Sequence, residues 1–506
     1  MKDSLPTISF NEYVFHNSRN KKILLAAAVA ILVQLTVFKY LYPFASFLHN
    51  DSFVYLETAY FNLDINSYMV GYSRFLRLFS AFTSSDTVLV VFQYLLVQTS
   101  ALFFLFTLFY FYKPGKVVQM VLLCFLVLNP LFLYMANLVT SDCFFLSLSL
   151  IWFSLLLWTI HRPSTKIIIW HILVLFIAFT VRYNALIYPF VTALAFLLSG
   201  LPMRKKMTGI AGGVVLCGLF VLYTGNKYKA LTATWQYAPF SGWQLANNAM
   251  YAYRYVDSAD RKPVPEKFKV LDNSIRVYFD STRDIGKHPI EALMASTFYM
   301  WRPELPLFKY LDLQFSKDST SSDFKKWASM GPLYGDYGIF IIKQYPMYYF
   351  RYFLLPNAGK YYAPPGEYLE TYNTEKNSVA PIAQEWFGYK SQNVTTRMSD
   401  LKIRTLDFYP VLSGIMNVVF LCGLLCFSML HGFRSNTLFR KGIILTGLFW
   451  LFNAGFSIFS TAGALRFLAF PILLMCTFAI LLIDWMWEMA MNEKTERLKI
   501  LQAPHL

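Results

Sequence analysis

Charge is scarce in this chain. Asp, Glu, Lys and Arg make up 15% of its 506 residues, where a soluble globular protein carries about 25%. That shortage, beside 56% hydrophobic and 19% aromatic residues, excludes an ordinary water-soluble enzyme. Cysteine is sparse too. The six (Cys124, Cys143, Cys217, Cys422, Cys426 and Cys476) all fall in or beside apolar runs, which excludes a disulfide framework. Cys422 and Cys426 share a helix face and read as membrane-helix packing rather than a thiol metal site. No phosphate-binding glycine loop, zinc-protease His pair or Gly-x-Ser-x-Gly elbow occurs, which argues against nucleotide-driven transport and serine hydrolysis. Solenoid repeats and low-complexity tracts are also missing. The first apolar run is long and lacks a small-residue cleavage pattern, so no removable signal peptide is expected.

What is present is a series of apolar runs, each about long enough to cross a bilayer core as a helix. Backbone groups in lipid must be satisfied within their own segment, which makes these runs helical. We expect ten spans, near residues 23–42, 86–112, 117–136, 143–160, 167–181, 185–202, 207–224, 406–430, 442–460 and 467–487. The sixth is interrupted by Pro189. An even count puts both termini on one side. Basic clusters at Lys21–Lys22, Lys113–Lys116, Arg162–Lys166, Arg204–Lys206 and Arg440–Lys441 make that side the cytoplasm. The expected fold is thus an all-α polytopic membrane protein in three parts: a seven-span module (1–224), an extramembrane domain (225–405), and a three-span module with a tail (406–506).

Two non-cytoplasmic segments are too long to be turns. In 43–85, Phe53, Leu56, Tyr60 and Leu63 recur at helical spacing, as do Phe75, Leu78, Phe79 and Phe82. That pattern predicts two short amphipathic helices on the membrane surface. Segment 225–405 reads as mainly helical and large enough for a core of its own. It holds 23 Lys and Arg against 17 Asp and Glu, an excess suited to anionic partners such as phosphates or lipid head groups. Gly338–Leu355, apolar but carrying Lys343, Pro346 and Arg351, is expected to be an interfacial helix.

Against the basic anchors stand a few solitary ionisable residues at span mouths on the opposite side: Asp51, Asp142, Arg182 and Arg466. Ionisable residues at a membrane face are costly and usually functional. Asp51, in His49-Asn50-Asp51-Ser52-Phe53-Val54-Tyr55, either caps a surface helix in competition with Ser52 or serves as a base for an attacking hydroxyl. Asp142, in Thr140-Ser141-Asp142, carries the same ambiguity, since Ser-Asp before an apolar run is a helix-start signature. Asp51, Asp142 and His49 could also share a divalent cation, magnesium or manganese suiting their hard oxygens. Arg182, in Val181-Arg182-Tyr183-Asn184, and Arg466, in Leu465-Arg466-Phe467, either snorkel to lipid phosphates or fork onto the phosphate of a substrate. Arg74, on the second surface helix, is a further candidate for that role. Asn393-Val394-Thr395 fits a glycosylation sequon, a short pattern that often matches by chance.

In this order the motifs resemble the GT-C superfamily of membrane glycosyltransferases, within it the branch of protein O-mannosyltransferases and the lipid A aminoarabinose transferase. The resemblance covers mainly residues 23–224. A long first outer loop carries an acid (Asp51) and two surface helices, and a second acid (Asp142) closes the next outer turn. An Arg-x-Asn pair (Arg182, Asn184) follows the fifth span, and a basic position (Arg466) precedes Pro471. The resemblance implies a polyprenyl-phosphate-linked sugar as donor, inversion at the anomeric carbon, and an acceptor that is a glycan, lipid or protein. By the same analogy Asp51 is the base and Asp142 an orienting acid. Tyr55, Arg74, Arg182, Tyr183, Asn184 and Arg466 are then substrate-binding, with membrane lipids as further partners and no role for nucleic acid. Two features depart from the pattern. Asp51 is followed by Ser52 rather than a second acid, and 225–405 does not read as a β-trefoil. The rival expectation is a transporter or flippase for an anionic lipid-linked substrate. Such proteins usually place ionisable groups near the bilayer midplane, whereas the spans here are almost uncharged.

Overall fold

The computed structural model describes residues 5–48, 50–289, 291, 296–435, 437–460 and 463–502. Among them the regular structure is helical, with three isolated β-bridges and no strand. Among the described residues eight helices are long and apolar enough to cross a membrane, and Thr165–Val181 and Tyr183–Leu198 are shorter apolar helices. The chain is a multi-pass helical membrane protein, as its hydropathy requires.

The helices that matter here are α1 (Ser18–Leu41), α2 (Asp51–Tyr60), α3 (Gly71–Ser80), α4 (Asp86–Tyr112), α5 (Lys116–Val127), α6 (Pro130–Asn137), α7 (Ser141–His161), α8 (Thr165–Val181), α9 (Tyr188–Leu198) and α10 (Met203–Thr232). Local chemistry sets their ends. Ser85 accepts from the Val88 amide and Ser164 from the Ile167 amide, capping α4 and α8. The expected third span is two helices, because Pro130 cannot continue the first. Asn129 instead caps the second by accepting from the Leu131 amide at 3.1 Å. Pro189 does not interrupt the sixth helix. It sits in the first turn of α9, where a missing N–H costs nothing, after a 3-10 turn over Tyr183–Ile187.

Downstream come α11 (Pro239–Tyr253), α12 (Lys269–Ser281), α13 (Pro306–Gln314), α14 (Asp323–Gln344), α15 (Leu355–Tyr362), α16 (Pro381–Phe387), α17 (Tyr409–Met429), α18 (Thr437–Ser460) and α19 (Leu465–Gln502). The most enclosed spans are α7 and α19, whereas α1 and α10 turn most of their surface outward. The site residues Asp142 and Arg466 stand at the first turns of those two central helices.

Segment 225–405 packs differently from the expected single domain. Residues 228–353 build a separate aromatic core around Trp243, Tyr299, Tyr334 and Tyr337. Its centre is the crossing of α11 on α14, where backbones nearly touch: a Cβ on Gly242 would lie 1.9 Å from the Gly331 carbonyl oxygen. Residues 361–406 instead contribute Tyr361, Leu369, Val379, Phe387, Val394 and Ile403 to the core of the membrane helices. Helix α10 runs through the boundary drawn at 224 without a break. Gly338–Leu355 is not one interfacial helix. Pro346 stops α14 at Gln344, and the upstream half is the end of a buried helix that meets α11 at Gly338 and bonds to Asp272 of α12 through Tyr337.

Candidate active site

The loop before Asp51 is held by backbone pairing rather than by its own propensity. The Ser46 amide donates to Asn137 O at 2.8 Å, and the Val139 amide to Ser46 O at 3.0 Å. From the far side, Asn373 Oδ1 accepts from the Phe47 amide at 3.0 Å, and the Asn373 amide donates to Ser46 Oγ at 2.9 Å. Asn373 and Thr374 are left-handed, with φ of 48° and 54°, a turn tolerated by Asn. Asp86, at the start of α4, adds an acceptor for the Ala45 amide at 2.7 Å. Residues more than 300 positions apart thereby aim α2.

Asp51 opens α2 but makes no side-chain cap to it. Ser52 does not cap it either, because its hydroxyl accepts from the preceding Leu48 amide at 2.8 Å. The Asp51 carboxylate points instead at two donors. Tyr68 Oη donates to Oδ1 at 2.7 Å, and Arg466 Nη2 to Oδ2 at 2.7 Å. Asp142, 2% exposed, accepts from Thr140 Oγ1 at 2.7 Å, from Arg466 Nη1 at 3.1 Å and from Arg182 Nη1. Arg182 follows α8 in extended conformation, so its side chain turns back across the mouth of α7. Two acids and two guanidiniums therefore form one buried lattice. Breaking such a lattice at its buried member, Asp142, costs about 3–5 kcal/mol, because the two guanidiniums lose the carboxylate they share, whereas Asp51 is 21% exposed and partly solvated.

Aromatic rings hold the cations flat. The Arg466 guanidinium carbon lies 4.6 Å from the Tyr368 ring and 4.3 Å from Phe467, and that of Arg182 lies 4.9 Å from Phe467. Tyr368 has φ +69°, a strained conformation for a bulky residue that persists only where its surroundings impose it. The Leu465 amide donates to Pro365 O at 2.9 Å, which ties that loop to the start of α19. Pro471 has no N–H to offer the Phe467 carbonyl, so the helix is loosened one turn beyond Arg466.

The lattice forms part of the wall of a cavity of about 680 Å3, within the range of small-molecule sites. Asp51, Arg182, Arg466, Tyr55, Tyr183 and Asn184 all line it, and Asp142 lies just behind, in a smaller space shared with Asn184 and Arg466. Residues of the segment 225–405 complete the wall of the larger cavity: Tyr237, Phe240, Gln244, Thr297 and Trp301. Tyr55 donates to or accepts from Ser141 Oγ at 2.9 Å, and burial pushes its phenol up to about 12. Burial also pushes the Tyr368 phenol up to about 12 and raises Tyr68 well above the usual range, so all three are neutral hydrogen-bonding groups at neutral pH.

Arg74 is not among the groups brought together. It lies on α3 outside the cavity, half-exposed, and donates to Asp64 at 2.9 Å and to Asn62. Asp64 also takes Lys227 Nζ at 2.8 Å, so Arg74 belongs to a surface ion-pair group tying the loop after α2 to α10. Of the three metal candidates, His49 lies outside the described residues. Asp51 and Asp142 converge with guanidiniums rather than with further acids, and no group of three His, Cys, Asp or Glu that could hold a metal occurs among the described residues. Tyr68 and Tyr368 escaped the sequence reading because a tyrosine in a loop of an aromatic-rich chain carries no spacing signal. Glu367 stands beside Tyr368, in a loop whose burial no local pattern marks. Burial raises its carboxyl, against the pull of Lys360 and Arg466, and its Oε2 is buried without a hydrogen-bond partner. Set against family models, curated proteins and solved structures, this chain matches none.

Proposed function

We propose that this chain is an inverting glycosyltransferase of the GT-C kind that moves one sugar from a polyprenyl phosphate to an acceptor hydroxyl on the extracytoplasmic face. In this reading ten spans carry the chain and both termini are cytoplasmic. The observation that supports it best is the Asp51 carboxylate, lining a cavity beside two guanidiniums that Asp142 holds in place. A carboxylate next to fixed cations is what acceptor activation and phosphate departure require together.

Asp51 takes the proton of the acceptor hydroxyl as that oxygen bonds to the anomeric carbon. The bond from that carbon to the phosphate oxygen breaks on the opposite face, and the phosphate leaves with the electron pair. Arg182 and Arg466 stabilise the growing negative charge, because a guanidinium matches phosphate geometry with two parallel N–H donors. Asp142 touches neither reactant in this scheme. It is a positioning residue that fixes both guanidiniums. The aromatic walls exclude water from the reacting atoms.

The test is transfer in proteoliposomes loaded with a radiolabelled polyprenyl-phosphate sugar and a cell-envelope acceptor extract. Label covalently joined to acceptor, lost in Asp51→Asn, supports the enzyme. Label that crosses the bilayer still attached to its lipid supports the flippase reading instead.

A further inference from the structure

The four charges of the lattice cancel before any ligand arrives. Asp51 and Asp142 face Arg182 and Arg466, and both oxygens of Asp51 are engaged, Oδ1 by Tyr68 and Oδ2 by Arg466. A base held by a guanidinium is hindered from taking a hydroxyl proton. A guanidinium already shared between two carboxylates is equally committed. The two roles proposed above therefore compete in this arrangement, and a single movement resolves both.

We infer that the donor's phosphate is itself the trigger that frees the base: its oxygens draw Arg466 Nη2 away from Asp51, while Asp142 keeps hold of Nη1. This rests on the donor reading above. Three features of the lattice suit such a transfer. Arg466 Nε is buried without a hydrogen-bond partner, so a guanidinium with five donors has capacity in reserve. Tyr368 and Phe467 lie against the guanidinium, and a stacked cation can turn in its own plane without losing that contact. The two acids are also held unequally. Asp142 is anchored by Thr140 and Arg182 with its side chain 1% exposed, whereas Asp51 is 21% exposed and keeps only Tyr68 once Arg466 turns. Asp142 is the pivot and Asp51 the partner released. The consequence is order: the acceptor meets a free carboxylate only after the donor has bound.

The device makes a counterintuitive prediction, because the residue essential for turnover is an obstacle to donor binding. Binding of farnesyl phosphate, which carries the phosphate but no sugar, is measured on the full-length protein in detergent. Asp51→Asn and Asp51→Ala should each bind it about tenfold more tightly than wild type, since Asp51 no longer competes for Arg466. Glu57→Gln removes a negative charge from the same cavity wall, but Glu57 is not an ion-pair partner of Arg466. Its affinity should stay within about twofold of wild type. In an Arg466→Gln background the Asp51→Asn gain should vanish, as the coupling of two interacting residues requires. Unchanged or weaker binding in both Asp51 variants overturns the inference, as does an equal gain in Glu57→Gln or a gain that survives in Arg466→Gln. If Arg466→Gln does not fold, the comparison of Asp51 with Glu57 decides alone. Absence of saturable farnesyl phosphate binding in wild type and every variant overturns the donor reading itself, and the inference with it.

Discussion

Arg466 and Asp51 are 415 positions apart in the chain and joined by a 2.7 Å ion pair. Arg466 begins the last membrane helix, and Asp51 begins the first helix after the first span. That pair brings the two ends of the chain to one cavity.

The lattice has a mechanical role separable from chemistry. Asp142→Ala leaves Arg182 and Arg466 buried with one carboxylate fewer between them, and should destabilise the protein by about 3–5 kcal/mol. Asp142→Asn, which keeps the shape and part of the hydrogen bonding, should cost less. Thermal unfolding in detergent checks both, and wild-type melting of Asp142→Ala would contradict the burial argument.

Asp51→Asn should lower transfer at least about a hundredfold, the size of a lost general base, with little change in melting temperature. Tyr68→Phe removes one hydrogen bond to that carboxylate and should reduce turnover about tenfold or less. Initial rates on a reconstituted donor lipid rank the two. Equal losses would mean Tyr68 does more than orient Asp51.

Glu367 provides a pH signature outside the spans. Burial raises its carboxyl in the folded protein. Below the ordinary carboxylate range the group is protonated folded or unfolded, so its burial carries no charge penalty there. As pH rises through the raised value, the folded state must hold a buried charge and stability falls. Glu367→Gln should therefore melt with wild type near pH 4 and above it near pH 7, by about 1 °C per kcal/mol relieved. Parallel melting curves across that range would show that Lys360 and Arg466 fully offset the burial.

Guanidiniums supply the positive charge in the scheme proposed here. Transfer should accordingly survive EDTA to within about a factor of two, where a metal-dependent enzyme loses its Lewis acid outright. Activity restored only by magnesium or manganese would return Asp51, Asp142 and His49 to consideration as ligands.

The crossing of α11 on α14 permits a test of the core of residues 228–353 alone. Gly242→Ala places a methyl group against the Gly331 backbone, and overpacking of that kind costs about 1–3 kcal/mol. Limited proteolysis of residues 228–353 should accelerate in this variant. Unchanged cleavage would show that the two helices move apart freely.

Hydropathy was enough to recognise the class of this protein. Long apolar runs must be helices in lipid, whereas the break at Asn129 and Pro130 falls inside the expected span 117–136 and shows only in the fold. Asp51, Asp142, Arg182 and Arg466 could be singled out because an ionisable residue at a span mouth is costly wherever the rest of the chain goes. Their partners were not legible. Whether Asp51 capped its helix or faced a cavity depended on Ser52 turning back to Leu48 and on an arginine near the far end of the chain. Arg74 looked equivalent to Arg466 in one dimension, yet Asp64 claims it outside the cavity. Tyr368 and Glu367 gain their places from the packing of residues 361–406 onto the membrane helices, a division of 225–405 that periodicity does not encode, and Tyr68 gains its place from the loop that returns it to Asp51 and Tyr55. Hydropathy and helix periodicity act over a few residues and can be read from order alone. Ion pairing acts through space, and only the folded chain decides which charges meet.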